Sequence, residues 1–341
     1  MKTKRKSTKY TVADAARDYT VKDLRLFCCI NYLHVKKSSR KEVFVQAVAK
    51  FVLENVGTIL SRLMIWDLEI VRDLVNIGPT KALAVGHSVL SYVQTALFLR
   101  CSYDKEKDCT WYVMSDDLRE AIGSTAEDLL ADESFRKKSE MLQFLQGLKF
   151  IYGDVYTWDA RAEFERCYPE YKGNNEVWRE LMSSPNTLED MCFYKGDIDK
   201  GILICPMLDY VSPEIIDVLP TPDDQQQSRK EFSRREILDA GNMPFPFFTC
   251  EPALRLKEYL TEEWGISDAW LVDNLMFDLW LFSQPIYDQP NKAAELVKDF
   301  RSSEPKMVNE LKEYVTEYVN ATPCWALSGH SVNETGQPIS E

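Results

Sequence analysis

The side chains best suited to chemistry are the cations at the start of the chain. Residues 1–50 contain nine Lys and four Arg against four acidic residues, a net charge of +9, whereas the whole chain carries a net charge of -13. A basic segment on an acidic body is typical of proteins that bind anionic polymers. The alternative is a solvated tail that only keeps the chain in solution. The side chains expected to contact phosphate are Lys2, Lys4, Arg5, Lys6, Lys36, Lys37, Arg40 and Lys41.

Signatures of catalysis and metal binding are missing from the sequence. His34, His87 and His330 lie in different segments without the spacing of a shared metal site, and no CxxC pair occurs among the nine cysteines. The phosphate loops GxxxxGK[ST] and GxGxxG are absent, as are GxSxG and HExxH. The paired acids of GDIDKG (196–201) are too few for a calcium loop and predict a turn. We therefore expect a binding protein with no catalytic residues, no metal site and no cofactor.

The composition indicates a globular chain. Of its 341 residues, 45% are apolar and 12% aromatic, which is enough for a sizeable core. No apolar run approaches the roughly 20 residues that span a bilayer. The basic start MKTKRKSTKY is followed by TVADAARDYT instead of the apolar region of a signal peptide. We expect a cytoplasmic protein with reduced cysteines and no membrane contact.

Two short helices are predicted to position the cations. Thr20 is a candidate N-cap for a helix over Val21–Ile30, and a loop over Asn31–Ser39 follows. A second helix begins at about Arg40, carries an apolar stripe from Phe44 to Val52, and is predicted to end at Gly57.

This two-helix pattern resembles the SAP-like and Rho N-terminal-like modules of nucleic-acid proteins. The residues that match are Val21, Asp23, Leu24, Leu33, Ser38, Lys41, Glu42 and Val43. The resemblance covers residues 20–56, and Val43 stands where the pattern has leucine. It implies that the module contacts nucleic acid through the basic loop.

The remaining chain shows mainly helical periodicity. Helices are predicted over about 60–75, 115–130, 134–150, 267–282, 291–300 and 304–320, and a further helix is predicted after Thr157. The stretches ALFLRCSY and TWYVMSDDL flank the charged turn DKEKD and predict a β-hairpin, and GILICPML predicts a short buried strand. The helix after Thr157 carries three acidic residues against two arginines, so we interpret the helix–Gly153–helix segment as a core αα-hairpin and not as a DNA reader.

The segment TPCWALSGHS (322–331) is unusual for a chain end. Pro323 should stop the preceding helix, after which Trp325 and Leu327 fold back onto the body with Gly329 supplying a turn. The pattern Asn320, Thr322, Pro323, Trp325, Leu327, Gly329 and His330 resembles bacterial helical proteins that often carry a SEC-C zinc tail. Residues 331–341, SVNETGQPISE, contain no cysteine. We interpret the segment as a structural anchor.

These observations predict a mainly α protein with a small N-terminal two-helix module and a multi-helix body with a few short β-strands. The predicted domains are 1–56, 57–170 and 171–330, with a tail over 331–341. The expected function is a non-enzymatic, nucleic-acid-associated regulatory or accessory protein that binds DNA or RNA through residues 1–56. Two alternatives remain: a protein-interaction adaptor of phage or mobile-element type, whose acidic body meets a protein partner, and a hydrolase without a recognisable motif.

Overall fold

The computed structural model confirms a mainly α-helical fold with a few short β-strands. It describes residues 9–78, 82–85, 91–104, 109–184, 187, 191–194, 197–205, 207, 229–242, 245–246, 248–284, 292–298, 300 and 305–335. The chain divides into two compact units, one up to Ser139 and one from Glu140 onward. The domain boundary predicted at residue 56 falls inside the first unit, and those at 170 and 330 fall inside the second.

Three helices open the first unit. They are α1 (Val12–Ala16), α2 (Val21–Ile30) and α3 (Lys41–Glu54). Thr20 caps α2 as predicted: its hydroxyl accepts from the N–H of Asp23, whose carboxylate accepts from the Thr20 N–H. Thr11 and Asp14 form the same capping box at α1. Each box satisfies N–H groups that have no partner inside the helix, which explains why the short helices begin there.

The end of α3 differs from the prediction. The helix stops at Glu54, because the Asn55 side chain donates to the carbonyl of Phe51 (2.8 Å) and closes the last turn. Gly57 lies inside the next helix and does not terminate α3. The long helix predicted over 60–75 is also two helices, α4 (Val56–Leu60) and α5 (Ile65–Asn76).

The predicted β-hairpin is present in the first unit. The elements after α5 are β1 (Ala82–Val85), α6 (Ser91–Leu97), β2 (Arg100–Asp104), β3 (Cys109–Val113), α7 (Asp116–Ile122) and α8 (Thr125–Ala131). Strands β2 and β3 pair antiparallel, with Ser102 opposite Trp111. β1 adds to the other edge of β3, which gives the order β1-β3-β2.

One continuous apolar core fills the first unit. The fully buried residues of this core include Leu24 of α2, Val48 of α3, Leu68 of α5, Met114 after β3, and Leu118 of α7. Residues 9–56 therefore share their core with residues 57–135, so the two-helix module is an integral part of a larger unit.

An ion pair joins α1 to α3 in this unit and predicts a pH dependence of stability. Arg17 donates to both carboxylate oxygens of Glu42 (2.7 and 3.2 Å), and Gln46 donates to one of them. The hydrogen bonds from Arg17 and then Gln46 lower the pKa of Glu42 to about 2. The unfolded chain, with the ordinary pKa of 4.5, binds more protons in this range than the folded chain does. Stability should therefore fall as the pH drops from 4.5 toward 2.

Arg17→Gln should flatten this dependence. Because the Arg17 hydrogen bond is the largest cause of the lowered pKa, the variant should lose less stability than the wild type between about pH 5 and about pH 3. Urea unfolding at several pH values measures the slopes. Lys50→Gln is the control, since Lys50 lies 3.8 Å from Glu54 in a more exposed pair. Equal slopes for the wild type and Arg17→Gln would contradict the assignment.

The second unit is built around the long helix in which the chain divides. Its first elements are α9 (Glu133–Tyr152), β4 (Asp154–Tyr156), α10 (Thr157–Cys167), α11 (Asn175–Met182), β5 (Met191–Tyr194) and β6 (Asp197–Ile204). Gly153 ends α9 with φ +77°, as predicted, but the connection to α10 contains strand β4 and is not a plain αα-hairpin. The strands form an antiparallel sheet in the order β4-β6-β5.

The segment GDIDKG was wrongly interpreted as a turn. β6 begins at Asp197 and continues through GILI (201–204). The strand is therefore longer than the apolar stretch from which it was predicted. Pairing with β5 explains this, since Tyr194 lies opposite Asp197 across a register shift at Phe193/Tyr194. Cross-strand hydrogen bonds extend the strand into a polar stretch that its own sequence pattern does not mark.

Helices form the remainder of the second unit. They are α12 (Arg234–Ala240), α13 (Glu251–Glu262), α14 (Ala269–Ser283), α15 (Lys292–Leu296), α16 (Pro305–Ala321) and α17 (Val332–Thr335). Asp268 caps α14, because its carboxylate accepts from the N–H groups of Trp270 and Leu271. Phe245 and Phe248, which precede α13, are buried.

The TPCWALSGHS segment packs into the second unit as an anchor. Trp325 is fully buried, and its indole N–H donates to the carbonyl of Phe150 (2.8 Å). The Trp325 ring contacts Trp280 edge to face at 5.6 Å. A Cβ on Gly153 would lie 2.9 Å from the Trp325 ring, so this glycine gives the indole its space.

Some sequence features lie outside the described residues. These are the first eight residues, with Lys2, Lys4, Arg5 and Lys6, together with His87 and the polar connection over 208–228. None of the helices in the described ranges combines the length and apolarity that crossing a bilayer would require.

Candidate nucleic-acid interface

The loop that carries the predicted phosphate-binding residues is held by backbone hydrogen bonds. At the end of α2, the N–H of Leu33 donates to the carbonyl of Cys28 (2.7 Å) and that of Tyr32 to the carbonyl of Cys29 (3.2 Å). This pair of bonds is a Schellman motif. Farther along, Ser39 N–H donates to the carbonyl of Lys36 (2.9 Å) and closes a turn. The loop therefore has a defined path over both of its halves.

Arg25 fixes the loop to the body of the first unit. Its guanidinium donates to the carbonyl of Lys37 (2.6 Å) and lies 5.6 Å from the ring centroid of Phe44. Phe44 is buried on α3, so the arginine joins α2, the loop and α3. The hydrogen bond uses the main chain of Lys37 and leaves its ammonium group exposed.

Three of the predicted cations are exposed and have no acidic partner in the part of the chain that the structure describes. Lys36, Lys37 and Arg40 lie at the surface, and no carboxylate among the described residues is within ion-pair distance of them. Lys41 is also exposed, but its ammonium group donates to the carbonyl of Arg17 (2.6 Å) at the end of α1. The structure therefore brings four of the eight predicted residues to one loop and the first turn of α3, and one of these four has a structural contact.

The acidic residues of the two-helix module are engaged elsewhere. Asp23 caps α2 through Thr20, and Glu42 is held by Arg17. The hydrogen bond to Thr20 lowers the pKa of Asp23, so this carboxylate is committed to the helix start. Neither acid offsets the charge of Lys36, Lys37 and Arg40 by direct pairing. The loop therefore carries a local excess of positive charge.

Apolar side chains are exposed beside these cations. Of the nine large hydrophobic residues that are exposed in the described ranges, four belong to this module. They are Leu26 (59% exposed), Ile30 (64%), Tyr32 (87%) and Val43 (50%). Sequence reasoning missed them, although Leu26 and Ile30 are one turn apart and off the buried stripe of Leu24 and Cys28. Contiguous exposed apolar groups mark interaction surfaces, and Leu26 and Ile30 are neighbours on α2.

The described residues contain no second constellation that points to catalysis or to a metal. His34 is exposed in the loop, and His330 faces Glu334 at 3.8 Å. Within the described part of the chain, no three His, Cys, Asp or Glu side chains form a group that could hold a metal ion. The cysteines whose side chains are described are all free thiols: Cys28, Cys29, Cys101, Cys167, Cys205, Cys250 and Cys324.

The second unit contains a cavity of about 240 Å³. Phe245, Phe248 and Tyr318 are among its walls, and an ion pair between Lys257 and Asp273 (2.5 Å) lies at its lining. Among the described residues that line it, Asp273 is the one carboxylate, and there is no His, Cys or Ser.

Comparison of the chain with protein-family models, with curated proteins and with solved structures gives no match.

Proposed function

We propose that this protein is a non-enzymatic, nucleic-acid-associated accessory or regulatory protein that binds the phosphate backbone through its N-terminal module. The observation that carries the proposal is the loop with Lys36, Lys37 and Arg40, whose charges have no acidic partner among the described residues. Arg25 and the Schellman motif support the backbone of this loop, so little ordering entropy is lost on binding. Lys2, Lys4, Arg5 and Lys6 are proposed to add further phosphate contacts.

Charge reversal of the loop is the main test. Three lost phosphate contacts should lower the salt slope, log affinity against log salt, by about 2 to 3, and should weaken binding about 100-fold at about 50 mM salt. The variant is Lys36→Glu/Lys37→Glu/Arg40→Glu in the full chain. Binding of fluorescent single- and double-stranded DNA and RNA is measured by anisotropy at about 50 and about 200 mM salt.

The control variant matches the change in charge. Lys50→Glu/Arg136→Glu/Lys137→Glu alters the net charge equally at three other exposed positions of the first unit. It should change affinity far less than the loop variant. Equal losses for both triple variants would leave only a net-charge effect, and no loss in the loop variant would refute the proposed contact. A separate variant of the full chain measures the contribution of the first four cations: Lys2→Ser/Lys4→Ser/Arg5→Ser/Lys6→Ser.

A protein-interaction adaptor is the second candidate function, and the exposed Leu26 and Ile30 favour it. These side chains suit an apolar partner surface better than a phosphate backbone. The double variant Leu26→Ser/Ile30→Ser should then abolish capture of a stoichiometric, nuclease-resistant protein from a bacterial lysate. Under the nucleic-acid proposal, the same variant keeps its salt-sensitive binding of DNA or RNA.

A further inference from the structure

Tyr32 is the most unusual residue of the candidate interface. Its φ of +55° places it in the left-handed region, at the position of the Schellman motif that glycine usually occupies. This backbone conformation is unfavourable for a residue with a side chain unless other interactions offset its cost. Tyr32 is 87% exposed, so packing of its ring inside the protein does not offset that cost.

The other non-glycine residues with positive φ in the described ranges behave differently. Phe98 and Ser328 are both buried. The ring of Phe98 contacts Tyr19 and Phe27 edge to face, so core packing offsets the cost of its backbone conformation. Tyr32 alone among these three pairs a disfavoured backbone with an exposed aromatic ring. The Schellman hydrogen bonds support the backbone of Tyr32, and its exposed ring is available for a contact outside the protein.

The position of Tyr32 fits a ligand that carries both charge and flat rings. Lys36 is four positions further along the chain, a span of at most about 14 Å. The two bonds of the Schellman motif fix its backbone on one side, and Arg25 fixes the loop at Lys37 on the other. The aromatic ring and the unpaired cations are therefore presented together by one supported loop.

We infer that the module takes single-stranded nucleic acid, with a base stacked on Tyr32 and adjacent phosphates on Lys36, Lys37 and Arg40. This inference rests on the proposed function and specifies its substrate class. The faces of paired bases are covered by their neighbours in a duplex, whereas an unpaired base can stack on an exposed aromatic ring. Stacking of this kind is tolerant of sequence, since every base has a flat face.

Substitutions at Tyr32 in the full chain test stacking against a structural role. Tyr32→Gly relieves the left-handed conformation, so it should raise the melting temperature while it weakens single-strand binding about 5-fold to about 100-fold. Tyr32→Phe keeps the ring and should stay within about 2-fold of the wild type. A merely structural tyrosine would not give opposite changes in stability and affinity.

The probes are oligonucleotides of one sequence in single-stranded, duplex and abasic single-stranded form. The wild type should prefer the normal single strand to both others, and Tyr32→Gly should bind normal and abasic strands alike. If Tyr32→Gly binds the normal single strand as tightly as the wild type, or if it loses as much affinity for duplex as for single strand, stacking is overturned. The loop charge-reversal variant tests the proposed function separately. If that variant weakens binding about 100-fold although Tyr32→Gly does not, the proposed function stands without this inference.

Discussion

Replacement of Trp325 by alanine should lower the free energy of unfolding of the second unit by about 4 kcal/mol. The indole is fully buried. Its removal therefore loses the favourable free energy of burying the ring, and it also leaves a large void in the folded unit. Its ring contacts Trp280 and also lies over Gly153. Little in this environment can move in to refill the void, since Trp280 is itself fully buried.

Hydrogen bonds add to the expected loss at Trp325. The indole N–H donates to the carbonyl of Phe150, and the backbone N–H of Trp325 donates to the side-chain oxygen of Gln284 (3.0 Å). Trp280 in turn donates to the carbonyl of Pro323 (2.9 Å). The two tryptophans therefore donate to two buried carbonyl groups, those of Phe150 and Pro323. Either carbonyl would carry a desolvation penalty if it lost its donor.

Two further variants separate burial from hydrogen bonding. Trp325→Phe keeps most of the apolar contact but leaves the Phe150 carbonyl without its donor, which should cost about 1 to 3 kcal/mol. Trp158 is exposed on α10 and provides the control of the same residue type. Trp158→Ala should cost less than about 1 kcal/mol. Urea unfolding followed by far-ultraviolet circular dichroism measures all three, and a loss below about 1 kcal/mol in Trp325→Ala would contradict the anchor assignment.

Local features of the fold could be predicted from the sequence. The start of α2 at Thr20 follows from a capping box whose two partners are three residues apart, and Pro323 marks the end of α16. The helix–Gly153 break is equally local, because it depends on one backbone conformation. Such features are visible in a short window because all of their partners lie within that window.

Features that depend on distant partners could not be predicted. Asp197 belongs to a strand because β5 pairs with it, and Gly57 fails to end α3 because Asn55 does so first. The candidate interface shows the same limit. Lys36 and Lys41 look alike in the sequence, but only the structure places the Lys41 ammonium group on the carbonyl of Arg17. The left-handed Tyr32 has no sequence signal, since glycine is the residue expected at its position.

Gly147→Ala should destabilise the second unit by about 3 kcal/mol through overpacking. A Cβ at this position of α9 would lie 1.8 Å from the backbone carbonyl oxygen of Ile237 in α12. No side-chain rotation can relieve a clash with main-chain atoms, so the two helices must separate. Gln143 also donates to the carbonyl of Leu238 (2.9 Å) across the same contact, and this hydrogen bond should lengthen or break.

Gly241→Ala tests the same helix contact from the other side. Its Cβ would lie 2.0 Å from the carbonyl oxygen of Gln143, so a similar loss is expected. Once one alanine has separated the helices, the second meets less resistance. The double variant should therefore cost less than the sum of the two single losses.

Gly57→Ala is the control, because no atom lies within 4 Å of its added Cβ and α4 should gain about 0.5 kcal/mol from the better helix former. Losses at Gly147 and Gly241 that add fully would mean that the two glycines act in separate contacts, and a stable Gly147→Ala variant would refute the close approach of α9 and α12.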